Sequence, residues 1–144
     1  MTKFNADKIA GLISKMRKAL DRLTYLSSLK KVEFLNDPDK ISSSKYNFII
    51  AIESAIDICN HIISQNGFRI PEDYGDAFQV LFEQGAFDNE FTKNLKTMAK
   101  FRNRLVHIYW EVNDDQIYGF LENNLTDFRT FLDKIARFLK LEHI

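Results

Sequence analysis

Residues 9–26, IAGLISKMRKALDRLTYL, decide the fold class. Ile9, Leu12, Ile13, Met16, Leu20, Leu23 and Leu26 recur at steps of three and four, which places them on one stripe of an α-helix and leaves the charges on the other. The same period governs most of the chain. Asp37-Pro38 reads as an N-cap followed by proline in the first turn, opening a second helix that runs to about Gln65, with Asn66-Gly67 as its stop. Pro71 to Glu90 predicts one short helix around Phe78, Leu81 and Phe82, ending near Gly85. A third long helix, capped by Asp88 or Asn89, runs to about Tyr109. The last is capped by Asn113 or Asp114 and carries Ile117, Phe120, Leu121, Leu125, Phe128, Phe131, Leu132, Ile135, Phe138 and Leu139 on its apolar face. The pattern predicts an all-α, antiparallel four-helix bundle with an additional short helix, spanning residues 1–144 as one domain.

Composition excludes several classes. With 45% hydrophobic residues, 13 Phe, 5 Tyr and 1 Trp, the 144-residue chain is too apolar for a disordered tail and can fill a core. Five Gly and two Pro are too few for a β-sandwich turning every ten residues. The 20 basic and 20 acidic residues cancel, so electrostatic recognition must come from local charge separation. Cys59 is alone and allows no intramolecular disulfide. The start of the chain, MTKFNADKIAGLISKM, lacks an apolar signal-peptide centre, and Phe48 to Ile63, interrupted by Glu53, Asp57 and His61, reads as too short and polar to span a membrane. A reducing, cytoplasmic setting is the expectation.

Charge does separate locally. Pro71 to Glu90 holds Glu72, Asp73, Asp76, Glu83, Asp88 and Glu90 with no Lys or Arg. Phe91 to Trp110 holds Lys93, Lys96, Lys100, Arg102 and Arg104 with no acid. Such a run is most often a solvated helix face, paired in part with the acidic block beside it; it also suits a polyanion, because arginine grips phosphate in a bidentate way. His107 follows the basic run. A lone histidine at a helix end is more often a cap or core residue than a catalyst, yet imidazole titrates near neutrality and can move a proton to or from a ribose oxygen. A guanidinium can hold the phosphate and stabilise its growing charge. Arg and His together suffice for metal-independent RNA cleavage by an internal 2′-hydroxyl. On a straight helix Arg102 and Tyr109 are about 700° apart and share a face, whereas Arg102 and His107 diverge by about 140°. One copy of a straight helix does not aim that pair at a single point. A curled Arg side chain, an early helix end or a second protomer would each bring them together, and the geometry favours a composite site.

The segment Arg102-Asn103-Arg104-Leu105-Val106-His107-Ile108-Tyr109 resembles the R-x-x-x-x-H-x-Y signature of HEPN-domain ribonucleases in their HepT toxin form, and the helical plan is similar over essentially the whole chain. The resemblance implies that Arg102 and His107 are the catalytic pair and that Asn103 is the polar residue beside the arginine. It implies that Tyr109 is the tyrosine modified with AMP by a cognate minimal nucleotidyltransferase antitoxin, which uses ATP and Mg²⁺. It also implies a homodimer whose two motifs face a shared cleft, an RNA substrate, and no cofactor for cleavage itself. Arg104 lies outside the minimal motif and is expected to be an auxiliary RNA contact.

A weaker constellation lies on the second helix, where Glu53, Asp57, Asn60, His61 and Ser64 fall within about 100° of one another. The stripe fits a cleft wall orienting Arg102 or His107, a solvent-facing strip, or an internal hydrogen-bond network. The i, i+4, i+8 carboxylate–carboxylate–imidazole spacing permits a metal, but the Glu-x-x-His repeats of di-iron bundles are absent, and no metal is expected. Trp110 and Tyr118 read as structural, with base stacking as the alternative. Ser42-Ser43-Ser44 has no base partner in sequence, and no Gly-rich phosphate loop exists. His143, at the carboxyl end of the sequence, is expected to play no part. Two rival readings remain beside the nuclease: a non-catalytic RNA- or nucleotide-binding module, and a helical adaptor for a nucleotidyltransferase.

Overall fold

Helix α1, Ala6–Ser27, buries the stripe read from its sequence, with Ala19 added, and Met16, Leu23 and Leu26 are fully enclosed. Each such side chain contributes about 1.5–3 kcal/mol through burial. Asn5 caps the helix by accepting from the Lys8 N–H at 3.0 Å. In this computed structural model residues 1–142 are described; His143 lies outside the described residues. A single turn that the periodicity did not predict, α2 (Lys31–Leu35), follows, held by the buried Phe34.

Helix α3, Pro38–Asn66, starts at the expected cap. Asp37 accepts from the N–H groups of Asp39 and Lys40, and Pro38 occupies the first turn. It stops at Gly67, whose φ of 63° is the left-handed conformation glycine adopts without a Cβ penalty. At 29 residues, with a window of mean hydropathy 1.2, it passes for a membrane span by length and composition alone. Its apolar character has another cause: 56% of that window is buried inside the bundle. The uncharged polar residues it buries, Ser44, Asn47 and Ser54, donate to carbonyls one turn back in their own helix.

Helix α4, Tyr74–Glu83, is the expected short helix, capped by Asp73 and followed by Gly85 at φ 87°. Helix α5, Asn89–His107, is capped by Asp88, which accepts from the Phe91 N–H at 2.8 Å. The last long helix is instead two. Asn113 caps α6, Asp114–Asn123, and after Asn124 the chain restarts as α7, Leu125–Leu139.

Cross-contacts fix the antiparallel order. The start of α1 meets the end of α3, where Lys3 N–H donates to Asn66 and Asn5 N–H donates to His61. Along α3 the partners on and after α5 run backwards, Glu53 against Arg102 and Lys45 against Tyr109. Phe101 and Phe120 stack at 3.9 Å, and Phe48 meets both edge-on. That trio locks α3, α5 and α6 together immediately beside Arg102.

Candidate active site

Arg102 points inward from α5 because the register that buries Phe101 and Leu105 carries it to the α3 side; the residue is 9% exposed. Its Nη2 and Nε donate to Glu53 Oε1 at 2.8 and 3.2 Å, and Nη1 donates to Asn103 Oδ1 at 3.1 Å. Tyr74, the first residue of α4, lays its ring 4.5 Å from the guanidinium carbon. Three elements therefore hold one planar cation, as a guanidinium allows and an ammonium does not. Asp57, one turn beyond Glu53, has its carboxyl pushed up by burial and then by the Glu53 charge, against the pull of Lys15, Lys8 and Arg102.

The α3 stripe divides by task. Glu53 grips Arg102. His61 accepts the Asn5 N–H on Nε2 at 2.9 Å and ties the chain's start to α3; burial, then Lys8, lowers its pKa and favours the neutral ring this acceptor role requires. Ser64 donates to its own helix. Among the described residues no group of three His, Cys, Asp or Glu side chains is arranged to hold a metal ion.

His107 ends α5 and is exposed. It sits about 7.5 Å along the axis from Arg102, and among the described residues no hydrogen bond joins the two. The chain does not continue as helix to Tyr109, so the shared face expected for Arg102 and Tyr109 is not formed. Ile108 breaks from helical geometry and Tyr109–Glu111 form a 3₁₀ turn. Lys45, whose side chain is 8% exposed, holds that turn: its Nζ donates to the Tyr109 carbonyl at 3.3 Å, lies 4.3 Å from the Tyr109 ring centroid, and has Asp114 at 3.9 Å. Arg104 donates to Gln116 on α6. Trp110, read from the sequence as structural, is 78% exposed, whereas Tyr118 is buried and donates to the Leu29 carbonyl.

The acidic block does not neutralise the basic helix. Arg69 takes Asp76 and Glu83, Lys134 takes Asp88, and among the described residues Lys93 is the one cation of the basic run that pairs with an acid of the block, Glu90. Lys96 donates to the neutral Gln79. Lys96, Lys100 and Asn103 thus line one wall of a cleft of about 320 Å³ with Glu72 and Asp73 opposite. Sequence reasoning missed Tyr74 and Lys45. Lys45 carried one signal, a lysine on an otherwise apolar helix; Tyr74 carried none.

Residues 16–135 match the family described as Ribonuclease HepT-like. The chain is 37% identical over 83 residues to the mRNA nuclease HepT of Shewanella oneidensis, spanning 58% of this chain and 62% of that protein, under two thirds of its length. It is 27% identical over 124 residues to the tRNA nuclease HepT of Aphanizomenon flos-aquae, covering 80% and 82%. In three dimensions it superposes on the tri-AMPylated HEPN toxin of Shewanella oneidensis in complex with MNT antitoxin with a TM-score of 0.85 and 29% identity, covering 92% and 99%.

Proposed function

Since this chain belongs to the HepT-like ribonuclease family, we propose that it is a toxin endoribonuclease of the cytoplasm, a homodimer that cuts RNA with Arg102 and His107. Arg102 holds the scissile phosphate and offsets the charge that grows on it. The ribose 2′-hydroxyl attacks phosphorus as His107 moves a proton, taking it from that hydroxyl or giving one to the leaving 5′-oxygen. The P–O5′ bond breaks, and the products are a 2′,3′-cyclic phosphate and a 5′-hydroxyl. Because the nucleophile is internal and the charge is met by a guanidinium, the step needs no metal, and cleavage is expected to persist in EDTA.

The observation that carries this reading is the clamped guanidinium of Arg102 on the same helix as an exposed His107 that diverges from it. The divergence supports a site shared between two copies. A complementation assay tests it. Arg102→Ala and His107→Ala protomers are each inactive; mixed and refolded together, they regain cleavage, because one of the two sites in each mixed dimer then holds an intact pair. No recovery, with mixed dimers shown by mass, overturns the shared site.

Tyr109 is the proposed target of a minimal nucleotidyltransferase antitoxin, which would attach AMP from ATP with Mg²⁺. The added phosphate places negative charge beside the basic helix, where RNA phosphate must lie. Intact mass after incubation with antitoxin and ATP reads this directly. Unchanged mass with activity lost would replace modification by steric blocking. The low exposure of Arg102 favours one rival, a module that holds RNA without cutting it. Retained RNA affinity with no cleavage by wild-type protein establishes that rival.

A further inference from the structure

A second basin adjoins the Arg102 clamp, and the proposed chemistry does not use it. It measures about 790 Å³ and lies between the end of α3 and the segment leading into α4. Its apolar walls include Ile63, Phe68 and Ile70, the last 86% exposed. Its polar groups include Asn60 and Glu72, and Tyr74 lines it as well. Tyr74 is thus shared between the basin and the guanidinium, whose carbon lies 4.5 Å from its ring centroid.

The acids here are not equivalent. Asp76 and Glu83 are taken by Arg69, and Asp73 accepts from the Asp76 N–H as the α4 cap. Among the described residues neither the Glu72 carboxylate nor the Asn60 amide has a hydrogen-bonding partner; only the Glu72 backbone N–H is engaged, donating to Asp76. An unpaired carboxylate at the mouth repels a phosphate. It accepts from N–H groups on the edge of a neutral base, and aromatic walls stack on its faces. Guanine alone among the four RNA bases presents two parallel donors, N1–H and the 2-amino group, to a single carboxylate.

We propose that this basin is a nucleobase subsite that selects guanine next to the phosphate held by Arg102, with Glu72 reading the base edge, Asn60 adding a second polar contact, and Tyr74 and Phe68 as stacking surfaces. The inference rests on the proposed role of Arg102 in holding RNA phosphate. It assigns a use to the acidic segment: the backbone phosphates follow the basic helix, and the base turns into the acid-rimmed pocket.

Binding is measured apart from cutting by using 2′-O-methyl trinucleotides, in which the nucleophile is blocked. Full-length protein is titrated with UGU, UAU, UCU and UUU. The guanine trinucleotide binds about tenfold more tightly than the others, and Glu72→Gln removes that preference. Asn60→Ala weakens guanine binding without touching the Arg102 clamp. Equal affinities across the four, or a preference that survives Glu72→Gln, overturn the subsite. Unmodified RNAs assayed in parallel separate the two claims. Cleavage with no base preference at the cut defeats the subsite alone, and guanine-selective binding with no cleavage defeats the nuclease reading while upholding the subsite.

Discussion

Glu53 Oε1 receives hydrogen bonds from both Nη2 and Nε of Arg102, at 2.8 and 3.2 Å, across the α3–α5 interface. One carboxylate oxygen therefore fixes the plane of the guanidinium, while Asn103 steadies its remaining nitrogen and Tyr74 covers a face. The same contact offsets part of the positive charge that a phosphate would seek. Orientation and attraction pull in opposite directions at Arg102, and the balance is open to measurement.

Glu53→Gln keeps the side-chain shape and removes the charge. With two charge-assisted hydrogen bonds replaced by weaker ones to a neutral amide oxygen, Arg102 is held less firmly and kcat falls by up to about 10²-fold, the scale of a small misplacement of a catalytic group. KM does not rise, because a competitor for the guanidinium has been lost. Steady-state cleavage of one oligoribonucleotide separates these terms. A raised KM at unchanged kcat would place Glu53 in substrate binding instead.

Arg102→Ala and His107→Ala both abolish cleavage, and only the first weakens the fold. His107 is exposed at the helix end, so its loss changes stability by no more than about 0.5 kcal/mol. Removing Arg102 leaves Glu53 facing α5 without its donors and uncovers Tyr74, which costs about 1–3 kcal/mol. Urea unfolding of the two variants side by side checks the contrast.

Much of this architecture is legible in local sequence signals. The α1 stripe, the Asp37-Pro38 start, the Gly67 stop and the Asp88 and Asn113 caps need only nearby residues, and each is found where the sequence places it. The break at Asn124 is invisible to periodicity because Leu121, Leu125 and Phe128 keep the apolar register across it. The departure lies in polar side chains that compete for the backbone, such as Asn123 donating to the Gly119 carbonyl. The contact holding the turn after α5 is more distant still: Lys45, 64 residues away in sequence, binds the Tyr109 carbonyl. The Arg102–Glu53 pairing is half legible. The polar stripe on α3 is evident in the sequence, but which member meets the arginine depends on how α3 and α5 are set against each other.

Lys45→Met tests whether that distant contact serves stability or modification. Methionine fills similar space without the charge. A nearly buried ammonium with its nearest carboxylate at 3.9 Å gains little from that ion pair, so the urea midpoint is expected to hold or rise. The Tyr109 turn, however, loses its anchor, and AMP incorporation by the antitoxin falls about tenfold as the hydroxyl is less well placed. Intact mass over a time course gives the rate. Unchanged incorporation would leave Lys45 a packing residue only.

Arg69 and Asp76 set a pH window for the segment that carries Glu72 and Tyr74. The Arg69 guanidinium, paired to both carboxylate oxygens at 2.7 and 2.8 Å, draws the Asp76 carboxyl down to about 2, while burial opposes the shift. A depressed carboxyl contributes stability above its unfolded value, near 3.8, and that contribution disappears as the pH falls through about 2. Glu83, which Arg69 also holds below its ordinary value near 4.5, acts in the same direction, so Arg69→Gln should lower Tm most above about pH 4.5, with the gap to wild type closing toward pH 2. In the variant the Asp76 carboxyl titrates nearer its ordinary value, which carbon-detected NMR reads directly. Because Asp76 also receives the Glu72 N–H at 2.9 Å, the same loss loosens the entry to α4. A Tm difference that stays constant from pH 7 to pH 2 would mean that Arg69 acts through packing and not through its charge.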